Sequence, residues 1–326
     1  MRSSRVTVFV LLLLTVLIGA NCSYYNRIIA RKNLVDGSKA YKDRKFPEAE
    51  QLFRDAVSRD PNGESVEGKT AQLFLARTLH SMYIGDRKNS ARAEEAIAEY
   101  QKALALNPDD QSSYKAIASL YENLQKSDQW LDWVTKRSTN TTIPPEQRAE
   151  ALTSLAAKKN SCANDITDTE QTKKTVTKDG KPTFEFVKPA NEADFNTLKG
   201  CVTDGLALTE QTMSLEPDQV KNATSLNVKS LTDQQLKSNQ DLLKVFESAR
   251  SYRASILVQA MRLAEMEGRA EDRDRLKQES EDARKSFLEL SDVVKKIQTE
   301  IDERVAAQQA EQSRNAANSA PAANSQ

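Results

Sequence analysis

The sequence predicts an all-α fold: a stack of helical hairpins, a small β-hairpin inserted within it, and a long helical hairpin at the C-terminal end. Three observations predict it. Nine glycines and nine prolines in 326 residues, about half the usual share, leave little turn chemistry for a many-stranded protein. Apolar residues recur at three- and four-residue intervals rather than alternating. One spacing of small residue, bulky residue, small residue and proline occurs twice. The charges cancel, 47 Lys and Arg against 47 Asp and Glu, which excludes a strongly basic surface for nucleic acid. One histidine and three cysteines leave almost no material for metal sites or for Ser/His/Asp and Cys/His catalysis. The chain therefore reads as non-enzymatic, with no catalytic residue, metal or cofactor assigned.

Arg2 and Arg5 precede a run from Val6 to Ala20 that is apolar except for Thr7 and Thr15. At about 1.5 Å per residue the run reaches roughly 22 Å, short of the ~30 Å hydrocarbon core, so residues 1–21 read as a secretory signal. The segment from Leu17 to Cys22 resembles a lipobox, with Gly19 and Asn21 departing from its usual residues. Lipidation of Cys22, ordinary signal cleavage and an uncleaved anchor all remain open. Each exports the chain to the periplasm or cell envelope, and a lipidated Cys22 or an N-terminal anchor would tether it to a membrane surface, with residues 22–31 as the tether.

A helical-hairpin solenoid is expected over 32–217. Ala49, Leu52, Phe53, Ala56 and Val57 follow an i, i+3, i+4, i+7, i+8 pattern after Pro47, and Pro61 stops that helix. Ala49, Phe53, Ala56 and Pro61 recur at the same intervals as Ala96, Tyr100, Ala103 and Pro108. This resembles the tetratricopeptide repeat, which implies a right-handed solenoid. On that resemblance Gly37, Ala49 and Ala56, then Ala76, Ala96 and Ala103, are the small packing positions, and Phe53 and Tyr100 are the wedges. Tyr83 to Ser90 reads as an insertion in the second unit. A third unit, Tyr114 to Leu124 with Gln129 to Arg137, places Trp130 where a small residue belongs. The resemblance also implies a concave groove for a protein or peptide, toward which it directs Tyr41, Lys42, Arg77, His80, Ser81 and Lys115; solvated side chains on a polar face are the alternative. Trp130 and Trp133 share a helix face and read as core.

A helix opening at Pro144 and Pro145 and another from about Glu192 flank a β-hairpin at about 172–188, marked by Asp179 and Gly180. The register sets Lys174 opposite Glu185 and puts Phe184 and Phe186 on one face, packed against helices. Setting Cys22 aside leaves Cys162 and Cys201; parity in an oxidising compartment favours a bridge over two free thiols. From Cys22 to Val294 the chain is similar to tetratricopeptide-repeat proteins of acidobacteria, many of them described as lipoproteins. Residues 36–41, 45–50, 95–97 and 264–268 carry that similarity, with Cys22 and the cysteine-flanked hairpin.

Residues 218–238 read as a polar loop. In 239–305, Leu276, Ser280, Ala283, Phe287, Leu290, Val294, Ile297 and Ile301 keep a 4,3 alternation. That predicts an antiparallel hairpin broken near Gly268, or self-association through 269–305. Residues 306–326 read as a disordered tail. One string argues for an enzyme: Gly63, Gly68, Lys69 and Thr70 satisfy the phosphate-loop pattern of a nucleotide hydrolase. A turn between helices is the other reading, since no apolar strand precedes Gly63 and Glu64 and Glu67 would face a polyanion.

Overall fold

A computed structural model describes residues 24–178 and 180–319, with side chains through residue 315. The expected signal segment, residues 1–21, and Cys22 lie outside the described residues. The chain forms two compact units, Met1–Trp130 and Leu131–Gln326, so the division falls inside the stretch expected as one solenoid.

In the first unit α1 (24–42), α2 (Phe46–Arg59), α3 (Val66–Gly85), α4 (Ser90–Leu106) and α5 (Gln111–Asn123) pack as successive neighbours, and α6 (Ser127–Thr139) crosses into the second unit. The expected tether is therefore mostly helix: Ala30 is fully buried, and Arg27 donates to Glu67 of α3 at 3.1 Å. Close approach explains the small residues. A Cβ on Gly37 would sit 2.8 Å from Cε1 of Phe53, so α1 can lie this near α2 only without a side chain there. Phe53, Ala49, Ala56, Ala76 and Ala96 are completely buried, and Tyr100 and Ala103 nearly so. Pro61 and Pro108 fall in the turns after α2 and α4. Only the middle of the expected insertion at 83–90 is a turn, because Tyr83 continues the buried stripe of α3, the helix ends at Gly85 and α4 begins at Ser90.

The second unit holds α7 (Pro145–Thr167), β1 (Lys173–Lys178), β2 (Lys181–Phe186), α8 (Glu192–Ser214), a short α9 (Asp218–Lys221), α10 (Asp233–Met266) and α11 (Ala270–Ser319). Cys162 and Cys201 are joined, Cα to Cα 6.2 Å, bridging α7 to α8. Gly205 of α8 admits Ile256 of α10, whose Cδ1 would stand 2.5 Å from an added Cβ. Gly268 turns α10 into α11 at φ 71, and Arg269 N–H donates to the Ala264 carbonyl at 2.9 Å, closing the helix end. Leu290, Val294 and Ile297 of the 4,3 seam share a core with Leu243 and Phe246 of α10. The seam expected as a candidate for self-association is thus filled from within the chain.

Three further differences from the sequence reading have local causes. Residues 218–238 are not an open loop: α9, two 3-10 turns (Ala223–Ser225 and Val228–Ser230) and the first turn of α10 occupy them. Val220 and Ala223 are buried, and Arg304 of α11 donates to the carbonyls of Leu231 and Lys229 at 2.8 and 3.2 Å. The tail is helical as far as Ser319 because Ala, Gln and Glu favour helix, although its side chains from 305 to 315 are all exposed. In the β-hairpin Lys174 pairs with Glu185 as expected, yet only Phe186 is buried. Arg262 lies over its ring at 4.5 Å, and Glu265 accepts its N–H at 3.3 Å. Phe184, two residues before it on β2, is 55% exposed, with Lys173 Nζ over its ring at 4.4 Å.

Candidate functional site

Three helices of the first unit contribute to one face. Phe74, Arg77 and Ser81 lie at i, i+3 and i+7 on α3 and so share a side of it. Tyr41 of α1 meets this row: its hydroxyl is 3.1 Å from Ser81 Oγ, and its ring sits edge-on to Phe74 at 5.9 Å and to Phe46 at 5.6 Å. Arg77 rests over the Phe74 ring at 5.5 Å and donates from Nη2 to Ser112 Oγ of α5 at 3.0 Å. Ser112 in turn donates to Asp110 Oδ1 at 2.8 Å. Burial alone would raise the Asp110 carboxyl, but donations from Ser113 and Ser112 outweigh it and hold the group below the usual carboxylate range. A cation is thereby held in place between an aromatic ring and a hydroxyl.

The groove residues expected from sequence divide here. Tyr41, Arg77 and Ser81 come together, and Lys115 is exposed one turn beyond Ser112. His80 turns toward α4, its ring edge-on to Tyr100 at 5.9 Å with Nδ1 3.3 Å from the phenol oxygen. Burial, helped by Arg87, pushes the imidazole below its ordinary value, and burial pushes the Tyr100 phenol up, so both are neutral packing groups at pH 7. Lys42 is exposed next in sequence to Tyr41, about 100° around α1. Phe74 and Ser112 are the members that sequence reasoning missed; the i, i+3 interval from Phe74 to Arg77 was the available signal.

The phosphate-loop string has a different geometry from the one its chemistry requires. It follows α2 rather than a strand, and Val66 already begins α3. Ser65 caps that helix, its Oγ accepting from Gly68 N–H at 3.0 Å. The Asp60 carboxylate accepts from Glu64 N–H at 3.0 Å, Ser65 N–H at 2.8 Å and the Ser65 hydroxyl at 2.6 Å. An internal carboxylate therefore takes the donors that would have wrapped an anion. Burial opposes its charge, but the Ser65 hydroxyl and the Ser65, Glu64 and Gly63 backbone donors hold Asp60 below the usual range. A Cβ on Gly68 would lie 2.2 Å from Asp60 Oδ2, so the glycine makes room for the carboxylate. Thr70 spends its hydroxyl on the Val66 carbonyl at 2.7 Å. The string is a capped inter-helix turn and lacks the strand, loop and helix that the nucleotide-hydrolase reading requires.

Among the described residues no group of three or more His, Cys, Asp or Glu is placed to hold a metal ion, and no helix is long and apolar enough to cross a membrane. The class these observations define is an all-α, tetratricopeptide-like arrangement of helical hairpins with a small antiparallel β-hairpin. No family model and no curated protein matches the sequence. Among solved structures, PilF of Pseudomonas aeruginosa, from a work on its functional characterization, is similar at 13% identity and a TM-score of 0.31, over 82% of this chain and 97% of that one. Yeast Tom70 is similar at 14% identity and a TM-score of 0.27, over 82% of this chain and 76% of that one. Likenesses this low say nothing of activity or partner.

Proposed function

We propose that the chain is a non-catalytic helical-repeat scaffold of the bacterial cell envelope, exported and tethered at its amino terminus through a lipidated Cys22. It docks a protein or peptide on the face formed by α1, α3 and α5. The observation that carries this reading is Arg77, fixed over Phe74 and against Ser112 beside Tyr41 and Ser81. A guanidinium already oriented loses little freedom when it meets a carboxylate, so an acidic side chain or a free C-terminal carboxylate is the group it suits. Lys115 on α5 adds positive charge near that face, and the surrounding rings give the rest of a peptide apolar contact. Export is supported by the basic residues and apolar run at 2–20 and by the Cys162–Cys201 bridge, which persists in oxidising compartments.

The test is selection of a random peptide library on the full chain and on Arg77→Glu. Acidic or free-carboxylate peptides should be enriched on the native chain, with affinity falling at least about tenfold in the variant, as loss of a charge-assisted hydrogen bond implies. Equal enrichment on both proteins would remove the face from consideration. For the tether, metabolic palmitate label should be present in the native protein and vanish in Cys22→Ala.

A further inference from the structure

Helix α1 carries a second face that the docking of a peptide does not use. On a helical projection of about 100° per residue, Tyr24, Tyr25, Ile28, Arg31, Lys32, Val35, Lys39 and Lys42 fall within an arc of about 120°, and all eight are exposed. The four large apolar side chains are far from buried: Tyr24 is 69% exposed, Tyr25 60%, Ile28 49% and Val35 60%. The opposite side of the helix supplies the buried Ala30, Gly37 and Ala40. Burial inside the first unit thus consumes one side of α1 and leaves an aromatic, aliphatic and basic stripe on the other.

The charge is as one-sided as the apolar surface. Within 24–42 there are five basic residues and a single acid, Asp36, in a chain whose charges balance overall. Arg27 is engaged by Glu67, whose charge Arg31 also helps to stabilise, whereas the side chains of Lys32, Lys39 and Lys42 make no ion pair or hydrogen bond among the described residues. The helix also begins no later than Tyr24, four residues after the apolar run ends at Ala20. A chain held to a bilayer by that run, or by lipid on Cys22, has almost no slack before α1 starts.

We infer that α1 lies in the membrane interface, its Tyr24, Tyr25, Ile28 and Val35 side chains reaching the boundary of headgroups and acyl chains and its Arg31, Lys32, Lys39 and Lys42 meeting anionic lipid. This rests on the reading that the amino terminus is membrane-tethered. Tyrosines suit that depth because the ring is apolar and the hydroxyl stays wet, and basic side chains flanking an apolar stripe are attracted by anionic headgroups. Docking in this way would hold the first unit at the bilayer surface by one helix side, leaving Tyr41, Arg77 and Ser81, which lie off the stripe, open to a peptide.

The test reconstitutes the full chain, purified with its native amino terminus, into vesicles of phosphatidylcholine alone or mixed with phosphatidylglycerol, each containing a carbene photolabel dissolved in the acyl phase. Adducts are located by tandem mass spectrometry. Adducts at Tyr24, Tyr25, Ile28 and Val35, more abundant with phosphatidylglycerol, are expected. They should fall severalfold in Lys32→Glu/Lys39→Glu, each basic residue being worth about fivefold in partition onto an anionic surface. Both substitutions are at exposed positions, and an unchanged far-ultraviolet spectrum confirms the fold. Adducts confined to residues before 24 would leave the tether standing and overturn the docking of α1. A chain with no adduct anywhere would overturn the tether and the docking together. Crosslinking of this stripe to a protein in native membranes, without lipid adducts, would assign it to another occupant and overturn the inference.

Discussion

The two units solve the same problem, burying the sides of paired helices, by different means. In the first, short helices are set close by small residues, and each wedge, Phe53 or Tyr100, belongs to one hairpin and touches its neighbours. In the second, α10 and α11 run for 34 and 50 residues, and the specifying contacts join distant parts of the chain. Gln259 accepts from the Thr167 hydroxyl at 2.9 Å across 92 residues. Arg250 reaches Glu216 at 2.6 Å, both side chains nearly buried, and donates to the Ser286 carbonyl at 3.0 Å. A repeat stack held by neighbour contacts can lose order piece by piece, while a body tied by remote contacts opens as a whole.

The largest effect should come from Phe53→Ala. Emptying a completely buried aromatic site costs about 4 kcal/mol, and hydrogen exchange should show the loss in α1 to α4 while amides of α10 keep their protection. Equal loss in both units would break the contrast. A comparable effect, about 4 kcal/mol by the loop-closure model for a separation of 39 residues, is expected when Cys162 and Cys201 are both replaced by alanine. Because the second unit is bound by remote contacts, its amides should lose protection together, and denaturant melts followed by exchange will show whether they do.

The smallest effect sharpens the contrast through pH. Burial depresses the His80 imidazole below its ordinary value of 6.5, so the unfolded chain binds the proton more readily than the folded one. Stability from this group is complete above the unfolded value and declines as pH falls through it toward the folded value. Asp60 and Asp110 are also depressed, and their contributions fade only in the acid range below ordinary carboxylate values. Between pH 7 and 5 the first unit should therefore weaken through His80, and His80→Gln should flatten that dependence in melts monitored at α3 and α4.

Much of the first unit could be read from sequence because its packing is local: Ala49, Phe53 and Ala56 announce a helix side by spacing alone, and Pro61 announces its end. The β-hairpin register was legible for the same reason, being set by the residues around its turn, whereas the cysteine pair was legible from parity alone. Partner choice was not. The seam from Leu276 to Ile301 fits a second copy or a segment of the same chain equally well, and only the turn at Gly268 and the packing of Leu243 and Phe246 of α10 against it decide for the latter. Polar residues misled where a distant group satisfied them: Arg304 orders the 229–231 carbonyls from 73 to 75 residues away. The phosphate-loop string misled because Asp60, outside the pattern, supplies the negative charge. In the candidate site Arg77 and Tyr41 were anticipated, but Phe74 looks like ordinary core until its ring is seen beneath the guanidinium.

The Cys162–Cys201 bridge encloses the β-hairpin, whose tip carries Lys178 and Lys181 on either side of the turn, both exposed. A trypsin-like protease cutting after Lys178, since Pro182 protects the bond after Lys181, would sever the backbone without separating the pieces. The nicked molecule would migrate as one band until a reductant is added and as two afterwards, so the bridge gives the chain a tolerance of clipping at this turn.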